Sequence, residues 1–295
     1  MYNNSMIKNQ IVDTWKEYEL LDCGDGEKIE RWKNIVLRRP EPQAIWKLAQ
    51  EWDDVDAHYH RSNKGGGAWE FKKKIKDSWI ISYGDLRFKV SPTGFKHTGI
   101  FPEQACNWDY MMDKIRHANR DIMVLNLFAY TGGATLACAK GGAKEVVHID
   151  AAKGMVNWAK ENMALSHLEN KRIRFITDDA LKFVQREKRR GRTYQAILMD
   201  PPSYGRGPNG ELWKIEEQLL PLIEACMDIL DDEPLFFLIN SYTTGFSPFV
   251  LENVLDSTLM KKYPFGKITI GEVALPITSS HKLLPCGVYG LFESN

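Results

Sequence analysis

The stretch that decides the fold is IMVLNLFAYTGGATLACAKGGAKEVVHID, residues 122–150. An apolar run suited to a buried strand leads into a glycine-containing loop, a helix of small residues that ends in two glycines, and a second apolar strand. Parallel neighbouring strands need a crossover of this kind, usually a helix. The stretch therefore predicts one βαβ unit of a parallel sheet.

The same alternation continues along the chain and predicts an α/β, Rossmann-like fold. The C-terminal part of the chain does not follow this alternation. KITIGEVALPI (267–277) and GVYGLFE (287–293) are two strand-like stretches with little helix between them. A mostly parallel seven-stranded sheet with helices on both faces and an antiparallel edge is expected. The predicted strands are 122–129, 145–150, 173–177, 194–200 and 234–240, and the predicted helices are 132–142, 155–166, 180–190 and 215–230.

The N-terminal part of the chain differs in composition and in its pattern of turns. Residues 1–80 hold six of the nine tryptophans, at positions 15, 32, 46, 52, 69 and 79, between turn-rich segments. Strands are predicted at 32–37, 79–83 and 86–90, and the tryptophans are interpreted as packing residues because this side chain is mostly buried. We therefore predict a small β-rich domain over 1–105, ending in a hairpin that leads into a cofactor lid, and a second domain over 106–295.

Composition limits the classes of function. The 295 residues carry a formal net charge of zero, so a nucleic-acid partner would have to be held by local patches. The five cysteines (23, 106, 138, 226 and 286) are scattered and form no C-x-x-C pair, which is typical of reduced thiols in a cytoplasmic protein. No apolar run approaches membrane-spanning length. We expect a cytoplasmic protein without a membrane or metal partner.

Polar groups follow consecutive strands of the predicted sheet. The first strand leads into YTGG (130–133), the second ends in Asp150, and the third is followed by Asp178 and Asp179. Asp150 lies about 20 residues beyond the glycine loop, the offset at which a carboxylate binds the hydroxyls of a ribose. The loop lacks the full G-x-G-x-x-G pattern for a pyrophosphate. The pattern therefore indicates a nucleoside cofactor, with Asp179 accepting a hydrogen bond from an adenine amino group.

The fourth strand ends in an acidic residue, and the backbone that follows it is stiff. The stretch AILMDPPSYGRGPNGE (196–211) places Asp200, Pro201 and Pro202 directly after the apolar run, with Tyr204 two residues further on. Prolines fix the direction of carbonyl groups and bring no N–H of their own. An acid and a carbonyl held in this way can accept hydrogen bonds from a target nitrogen, and an aromatic ring can stack on a flipped base. Arg206 is a candidate phosphate contact.

These motifs resemble those of class I S-adenosylmethionine-dependent methyltransferases. VLNLFAYTGG (124–133) and ILMDPPSYGRG (197–207) are similar to the branch related to bacterial 23S ribosomal RNA cytosine-C5 and guanine-N7 methyltransferases. Upstream, KHTGIFPEQ (96–104) is similar to a family segment that covers the methionine end of the cofactor. Glu103 stands where that segment usually has Asp, His97 is inserted, and Ala152 stands where Ser is usual. Residues 1–80 do not resemble the RNA-binding module that often precedes this fold.

The resemblance implies S-adenosylmethionine as cofactor and RNA as substrate, with ribosomal RNA favoured and no indication of the oligomeric state. Catalytic groups are then expected at Asp200, Pro201, Pro202 and Tyr204, and substrate contacts at Tyr204 and Arg206. The implied cofactor contacts are Thr98, Phe101, Gln104, Asn126, Phe128, Tyr130, Thr131, Gly132, Asp150, Ala151, Asp179, Ala180 and Asp200.

The position of the cysteines bears on the atom that is methylated. Methylation at cytosine C5 requires a cysteine that adds to the base. Cys138 and Cys226 lie on predicted apolar helix faces, and Cys286 is the one loosely placed candidate. A nitrogen target is therefore favoured, and a carbon target stays open if Cys286 reaches the site.

Several alternatives remain at the level of sequence. The basic runs KFVQREKRRGR (182–192) and FKKKIK (71–76) are either RNA contacts or solvated helix faces. DAHYHR (56–61) has two histidines beside an acid but no third metal ligand nearby in sequence, so no metal is expected. A methyltransferase acting on a small molecule or a protein is the enzyme alternative, and a non-catalytic cofactor- or RNA-binding module is the alternative of another class.

Overall fold

The structure is a computed structural model, and it describes residues 6–62, 66–94 and 96–294. Two compact units divide the chain. The large unit combines the described residues up to Gln10 with Cys106–Val273 and the stretch from Gly287, and the small unit combines Ile11–Ala105 with Ala274–Cys286. We predicted a division into residues 1–105 and 106–295. That prediction did not place the N-terminal segment in the large unit or Ala274–Cys286 in the small unit.

Strands and helices are numbered here in chain order. The strands of the described residues are β1 (Met6–Ile7), β2 (Gln10–Ile11), β3 (Tyr18–Gly24), β4 (Glu27–Trp32), β5 (Ile35–Pro40), β6 (Ala57–Arg61), β7 (Gly67–Phe71), β8 (Trp79–Tyr83), β9 (Leu86–Val90), β10 (Met123–Leu127), β11 (Glu145–Asp150), β12 (Ile173–Thr177), β13 (Ala196–Met199), β14 (Tyr204–Arg206), β15 (Leu212–Lys214), β16 (Phe236–Ser241), β17 (Lys267–Pro276) and β18 (Leu283–Glu293). The α-helices are α1 (Ala105–Arg116), α2 (Gly133–Gly141), α3 (Lys153–Leu165), α4 (Ala180–Arg189), α5 (Ile215–Met227) and α6 (Pro248–Leu255), with a 3₁₀ turn at Pro102–Gln104 and a π-helical turn at Asp256–Met260.

The large sheet has the order β12-β11-β10-β13-β16-β18-β17-β1, and β2 also pairs with β17. Strands β10 to β13 and β16 pair in parallel, and β18 runs antiparallel to β16. The predicted seven strands with an antiparallel edge are confirmed, and β1 and β2 extend that edge. The chain order of the strands reverses at β10, which is where open α/β sheets bind their ligands.

Burial explains why the central elements form where they do. Val124, Leu125 and Leu127 of β10 are fully buried, as expected of a parallel strand that helices cover on both faces. Helix α2 is rich in small residues, and its neighbours approach it closely. A Cβ on Gly133 would lie 2.7 Å from Cζ2 of Trp108, so a larger residue there would displace the indole ring of α1.

The small unit holds a five-stranded sheet of order β3-β4-β5-β6-β7 and a separate hairpin of β8 and β9. The predicted strands at 79–83 and 86–90 are confirmed. The predicted strand at 32–37 is wrong, because Lys33 adopts a left-handed conformation (φ 62°) and turns the chain between β4 and β5. The upstream motif of residues 83–104 includes Phe95, which lies outside the described residues.

The tryptophans of the small unit have packing roles, as predicted. Trp32 is fully buried beneath the Arg39 guanidinium, which lies 5.6 Å from the ring centroid. Trp15 and Trp46 are half-buried and donate Nε1–H to the carbonyls of Pro102 and Cys23, at 2.9 and 2.6 Å. These indoles pack against and hydrogen-bond the backbone of their own unit.

A buried ion pair lies at the centre of the small unit. Arg39 donates two hydrogen bonds to the Glu30 carboxylate, at 2.6 and 2.8 Å, and the Tyr18 hydroxyl donates a third at 2.9 Å. Burial alone would raise the pKa of Glu30, but Arg39 and Lys28 lower it to about 2. The carboxylate is therefore compensated, as a buried charge must be.

Within the described part of the chain, no helix combines the length and the apolar character needed to cross a bilayer.

Candidate active site

Three strand ends lie side by side at the carboxyl edge of the large sheet. Leu127 of β10 pairs with Ile149 of β11 on one side and with Met199 of β13 on the other. Asp150 is the residue after Ile149, and Asp200 is the residue after Met199. Since neighbouring strands are about 4.8 Å apart, the two acids flank the loop that leaves β10.

Asp150 fixes the shape of that loop. Its Oδ2 accepts a hydrogen bond from the Tyr130 N–H and its Oδ1 accepts one from the Ala152 N–H, each at 2.8 Å. Burial raises the pKa of Asp150, and these two N–H groups oppose that effect. Each carboxylate oxygen keeps a further lone pair, so the group can still accept from a ligand diol.

The loop between β10 and α2 has an unusual backbone. Phe128, Tyr130 and Gly132 have φ values of 55°, 50° and 89°. Left-handed conformations are costly for residues other than glycine and persist where the surroundings enforce them. A Cβ on Gly132 would also lie 3.0 Å from the Cβ of Ala159, so this position requires glycine on two grounds.

A buried polar chain lies beneath the loop. Asn126 Nδ2 donates to Thr135 Oγ1 at 2.9 Å, and Thr135 Oγ1 lies 2.9 Å from His148 Nδ1. Burial lowers the pKa of His148 to about 3, so the ring is neutral at pH 7. Because the Thr135 oxygen already accepts from Asn126, its hydroxyl proton can go to His148 Nδ1. Nε2 then carries the ring proton.

This network joins the loop to the neighbouring elements. Asn162 of α3 donates to the Thr131 carbonyl at 2.9 Å, and Asn162, Thr131 and His148 are all buried. Asn126 and Thr131 were predicted as cofactor contacts, whereas Thr135, His148 and Asn162 were not predicted. A histidine inside the apolar strand EVVHID was the available signal.

Both acids at the third strand end have contacts within the protein. Asp179 is the N-cap of α4, and its Oδ1 accepts from the Lys182 N–H at 2.9 Å. Asp178 forms an ion pair with Arg186 and accepts from the Asp179 N–H. One oxygen of Asp179 is thus used for capping, and its contact with adenine stays a prediction, as do those of Ala151 and Ala180.

The segment after Asp200 is part of a hairpin rather than an isolated turn. Tyr204 at the start of β14 pairs with Lys214 of β15, and Trp213 Nε1 donates to the Pro202 carbonyl at 2.6 Å. The Trp213 ring also packs against Phe128, with 4.7 Å between centroids. The segments after β10 and β13 are therefore held together. Trp213 was missed because a lone tryptophan 11 residues beyond Pro202 gives no local signal.

Side chains after β16 complete this edge. The Ser203 and Thr243 hydroxyls lie 2.8 Å apart, and buried Asn107 donates from Nδ2 to Asn240 Oδ1 at 3.0 Å. No donor among the described residues reaches the Pro201 carbonyl. Tyr204 is 57% exposed, and Arg206 is exposed as well.

Three predicted cofactor residues belong to the small unit. Thr98 is buried, and its Oγ1 has no partner among the described residues. The Phe101 ring lies 5.5 Å from the His97 ring, and Gln104 ends the 3₁₀ turn. Burial lowers the pKa of His97 to about 4. The part of Thr98, Phe101 and Gln104 in cofactor binding stays a prediction.

The basic run of α4 is largely paired with acids. Lys188 pairs with Asp228 at 2.8 Å, and Arg192 pairs with buried Glu145 at 2.5 Å. Further pairs join Lys182 to Glu211, Arg186 to Asp178 and Arg190 to Glu187. Much of the positive charge that the sequence suggested for RNA is therefore compensated within the protein.

The strand order, the acid-clamped loop and the Asp-Pro-Pro segment together define a transferase that uses a nucleoside cofactor. Residues 32–220 match the family model of S-adenosylmethionine-dependent methyltransferases, and the chain belongs to this family. S-Adenosylmethionine is accordingly its cofactor, as the sequence predicted. The half-buried Asp150 carboxylate retains acceptor capacity beside the strained loop, and its contact with the ribose of that cofactor stays a prediction.

Known relatives give the same classification. The chain is 32% identical to the SAM-dependent methyltransferase from Agrobacterium tumefaciens, with a TM-score of 0.92 over 100% of this chain and 98% of that one. It is 30% identical to the ribosomal RNA large subunit methyltransferase K/L of Shewanella frigidimarina over 60% of the chain, and 24% identical to the methyltransferase K of Neisseria meningitidis over 79%. The chain spans 24% and 66% of the length of those two curated relatives.

Proposed function

We propose that this protein transfers the methyl group of S-adenosylmethionine to a nitrogen of an RNA base, with ribosomal RNA as the favoured substrate. The observation that carries the proposal is the placement of Asp200, whose strand end is in register with that of Asp150 across β10. A target group beside Asp200 would then lie next to the cofactor loop. The names of the curated relatives support ribosomal RNA as the substrate.

In this proposal the cofactor contacts come from the strand ends. Asp150 accepts hydrogen bonds from the ribose diol, and the backbone from Phe128 to Gly132 lies against the cofactor. The Asn126–Thr135–His148 chain keeps that backbone in place because all three side chains are buried and hydrogen-bonded. When bound, the cofactor supplies a methyl group that its sulfonium already activates.

The chain's own contribution to the reaction is mainly position. Asp200 and the Pro201 carbonyl accept hydrogen bonds from the target N–H and orient the nitrogen lone pair toward the methyl group. Pro202 fixes the backbone, since its carbonyl is held by Trp213. Well-oriented reactants can gain about 7–11 kcal/mol relative to reaction in free solution. Tyr204, which is largely exposed, stacks on the base, and Arg206 contacts a phosphate.

Three of the five cysteines are poorly suited to attack on cytosine, which favours a nitrogen target over C5. Cys138 and Cys226 are buried, and burial raises the pKa of both thiols. Cys286 belongs to the small unit, where burial and the nearby Glu103 carboxylate raise its pKa well above the usual range. Only the thiolate is an effective nucleophile, so these residues are poor candidates for covalent attack on a base.

A second candidate function is methylation of a small molecule or a protein. The observation that favours it is charge, because the net charge is zero and the basic run on α4 is largely paired. Incubation of the protein and labelled cofactor with RNA, protein and small-molecule fractions from a deletion strain distinguishes the two. We expect label in the RNA fraction, removed by nuclease and absent with Asp200→Ala. Label in the protein or small-molecule fraction alone would favour the second candidate.

A further inference from the structure

Two histidines and two glutamates meet on one face of the small sheet. His58 and His60 are two residues apart on β6, so their side chains point to the same face. Glu70 of β7 is the register partner of His58. Glu27, on β4, also reaches His58, although strand β5 lies between β4 and β6 in the sheet.

The distances within this group are short. His58 Nε2 lies 2.7 Å from Glu27 Oε1, and His60 Nε2 lies 2.8 Å from Glu70 Oε2. The two imidazole centroids are 3.9 Å apart. One ligand atom from each of His58, His60 and Glu70 lies within 4.8 Å of the others. Ligands of a tetrahedral zinc ion at about 2.0–2.1 Å are roughly 3.3 Å apart, so small side-chain movements would bring the three onto one ion.

We propose that His58, His60 and Glu70 form a zinc-binding site on the small unit. Two imidazoles and one carboxylate are a donor set that zinc accepts, with the remaining position open to water or Glu27. The local sequence shows no third ligand, because Glu70 is ten residues from His60 and reaches it only through pairing of β6 with β7.

The surrounding charges favour a cation. Glu27 and Glu70 bring two carboxylates to this group, and Arg38 forms an ion pair with Glu27. The Glu27–Arg38 pair also limits the movement of His58, which is the role that outer-shell carboxylates have around metal ligands.

The site differs in exposure from one side to the other. The His58 side chain is 14% exposed and that of His60 is 53% exposed. A zinc ion would enter from the His60 and Glu70 side. It would join β6 to β7 beyond their hairpin hydrogen bonds, so the expected effect is stabilisation of the small unit.

The proposal is tested with the full chain after a chelator has removed bound metal. Calorimetry then measures zinc affinity, and elemental analysis measures the amount bound. We expect one equivalent bound, a higher Tm with zinc, and at least tenfold weaker binding for His60→Ala and for Glu70→Ala. These two residues are exposed, so their replacement leaves folding intact, whereas His58→Ala also removes one of the partners of Glu27. His117→Ala is the matched control, since this exposed histidine also pairs with an acid, Asp113.

Cobalt substitution identifies the donor atoms. A site of two imidazoles and a carboxylate gives tetrahedral d–d absorption without a sulfur-to-metal charge-transfer band. A charge-transfer band would place the ion on a cysteine and overturn the assignment. Unchanged zinc affinity in both His60→Ala and Glu70→Ala, or an equal loss in His117→Ala, would overturn it as well.

Discussion

Replacing Asp150 by alanine tests the cofactor site most directly. The carboxylate would accept two hydrogen bonds from the ribose diol, and hydrogen bonds to charged groups contribute about 1.5–3 kcal/mol each. Part of this gain is offset, because burial already disfavours the ionised form. A net loss of at least about 1.4 kcal/mol, or tenfold in Kd for S-adenosylmethionine, is expected. The Tyr130 N–H also loses its acceptor, which relaxes the loop.

Calorimetric titration of the cofactor into Asp150→Ala measures this loss, and thermal unfolding without cofactor shows whether the variant is folded. Asp121→Ala is the matched control, because Asp121 is an exposed acid near the opposite end of β10 and pairs only with Lys144 among the described residues. Asp121→Ala should bind as the parent protein does. A folded Asp150→Ala variant with the parent Kd would refute the assignment of Asp150 to the ribose.

The pKa of Asp150 gives the same site a pH dependence. Burial raises this pKa in the folded protein, so the carboxyl protonates at a higher pH than an exposed Asp does. For folding, the group therefore contributes stability that is present at low pH and is lost as the pH rises through the folded pKa. Cofactor affinity has the opposite sign. It should fall as the pH drops through that pKa, and Asp150→Ala should lack this dependence.

The remaining predictions concern the catalytic loop and the network beneath the cofactor loop. Asp200→Ala should lower kcat strongly, since it removes an interaction used mainly in the transition state. Tyr204→Ala should instead weaken RNA binding by about 1–3 kcal/mol and leave cofactor affinity unchanged; full turnover in both variants would leave the loop without a catalytic role. Trp213→Phe keeps an aromatic ring but removes the hydrogen bond to the Pro202 carbonyl, so kcat should fall while Kd for the cofactor changes little. RNA containing 5-fluorocytosine should give no covalent adduct by mass spectrometry, and an adduct at any cysteine would indicate C5 chemistry. The pKa of His148 is lowered to about 3, so its contribution to the free energy of unfolding is fully present above about pH 6.5 and declines as the pH falls toward 3. Denaturant unfolding of His148→Asn should show a shallower decline of stability in that range than the parent protein does.

The elements that sequence predicted best are those whose signals are local. Strands β10 and β11 and helix α2 were placed to within about two residues, because buried parallel strands are continuous apolar runs and glycines mark the loop and the helix end. Asp150 and Asp200 were found for the same reason, as they follow apolar runs directly. The fold class and the cofactor rest on these signals.

The features that sequence missed depend on residues far apart in the chain. The strand predicted at 32–37 failed at Lys33, where a non-glycine residue takes a left-handed conformation and forms a turn. The basic run on α4 resembled a free surface because its partners, such as Glu145 and Asp228, lie outside the helix. Trp213 and Thr135 likewise act through contacts that only the folded chain makes.

The exchange of segments between the two units has a consequence for synthesis on the ribosome. Residues 274–286 supply backbone partners to β3, through hydrogen bonds from the Thr278 and Ser279 N–H groups to the Leu20 and Leu21 carbonyls, and Ser279 bonds Asp22 across 257 residues. The first-made unit therefore stays incomplete until nearly the whole chain has emerged. Contacts of such long sequence separation slow folding. A fragment ending at Ala105 would leave this edge of its sheet open to pairing with other chains.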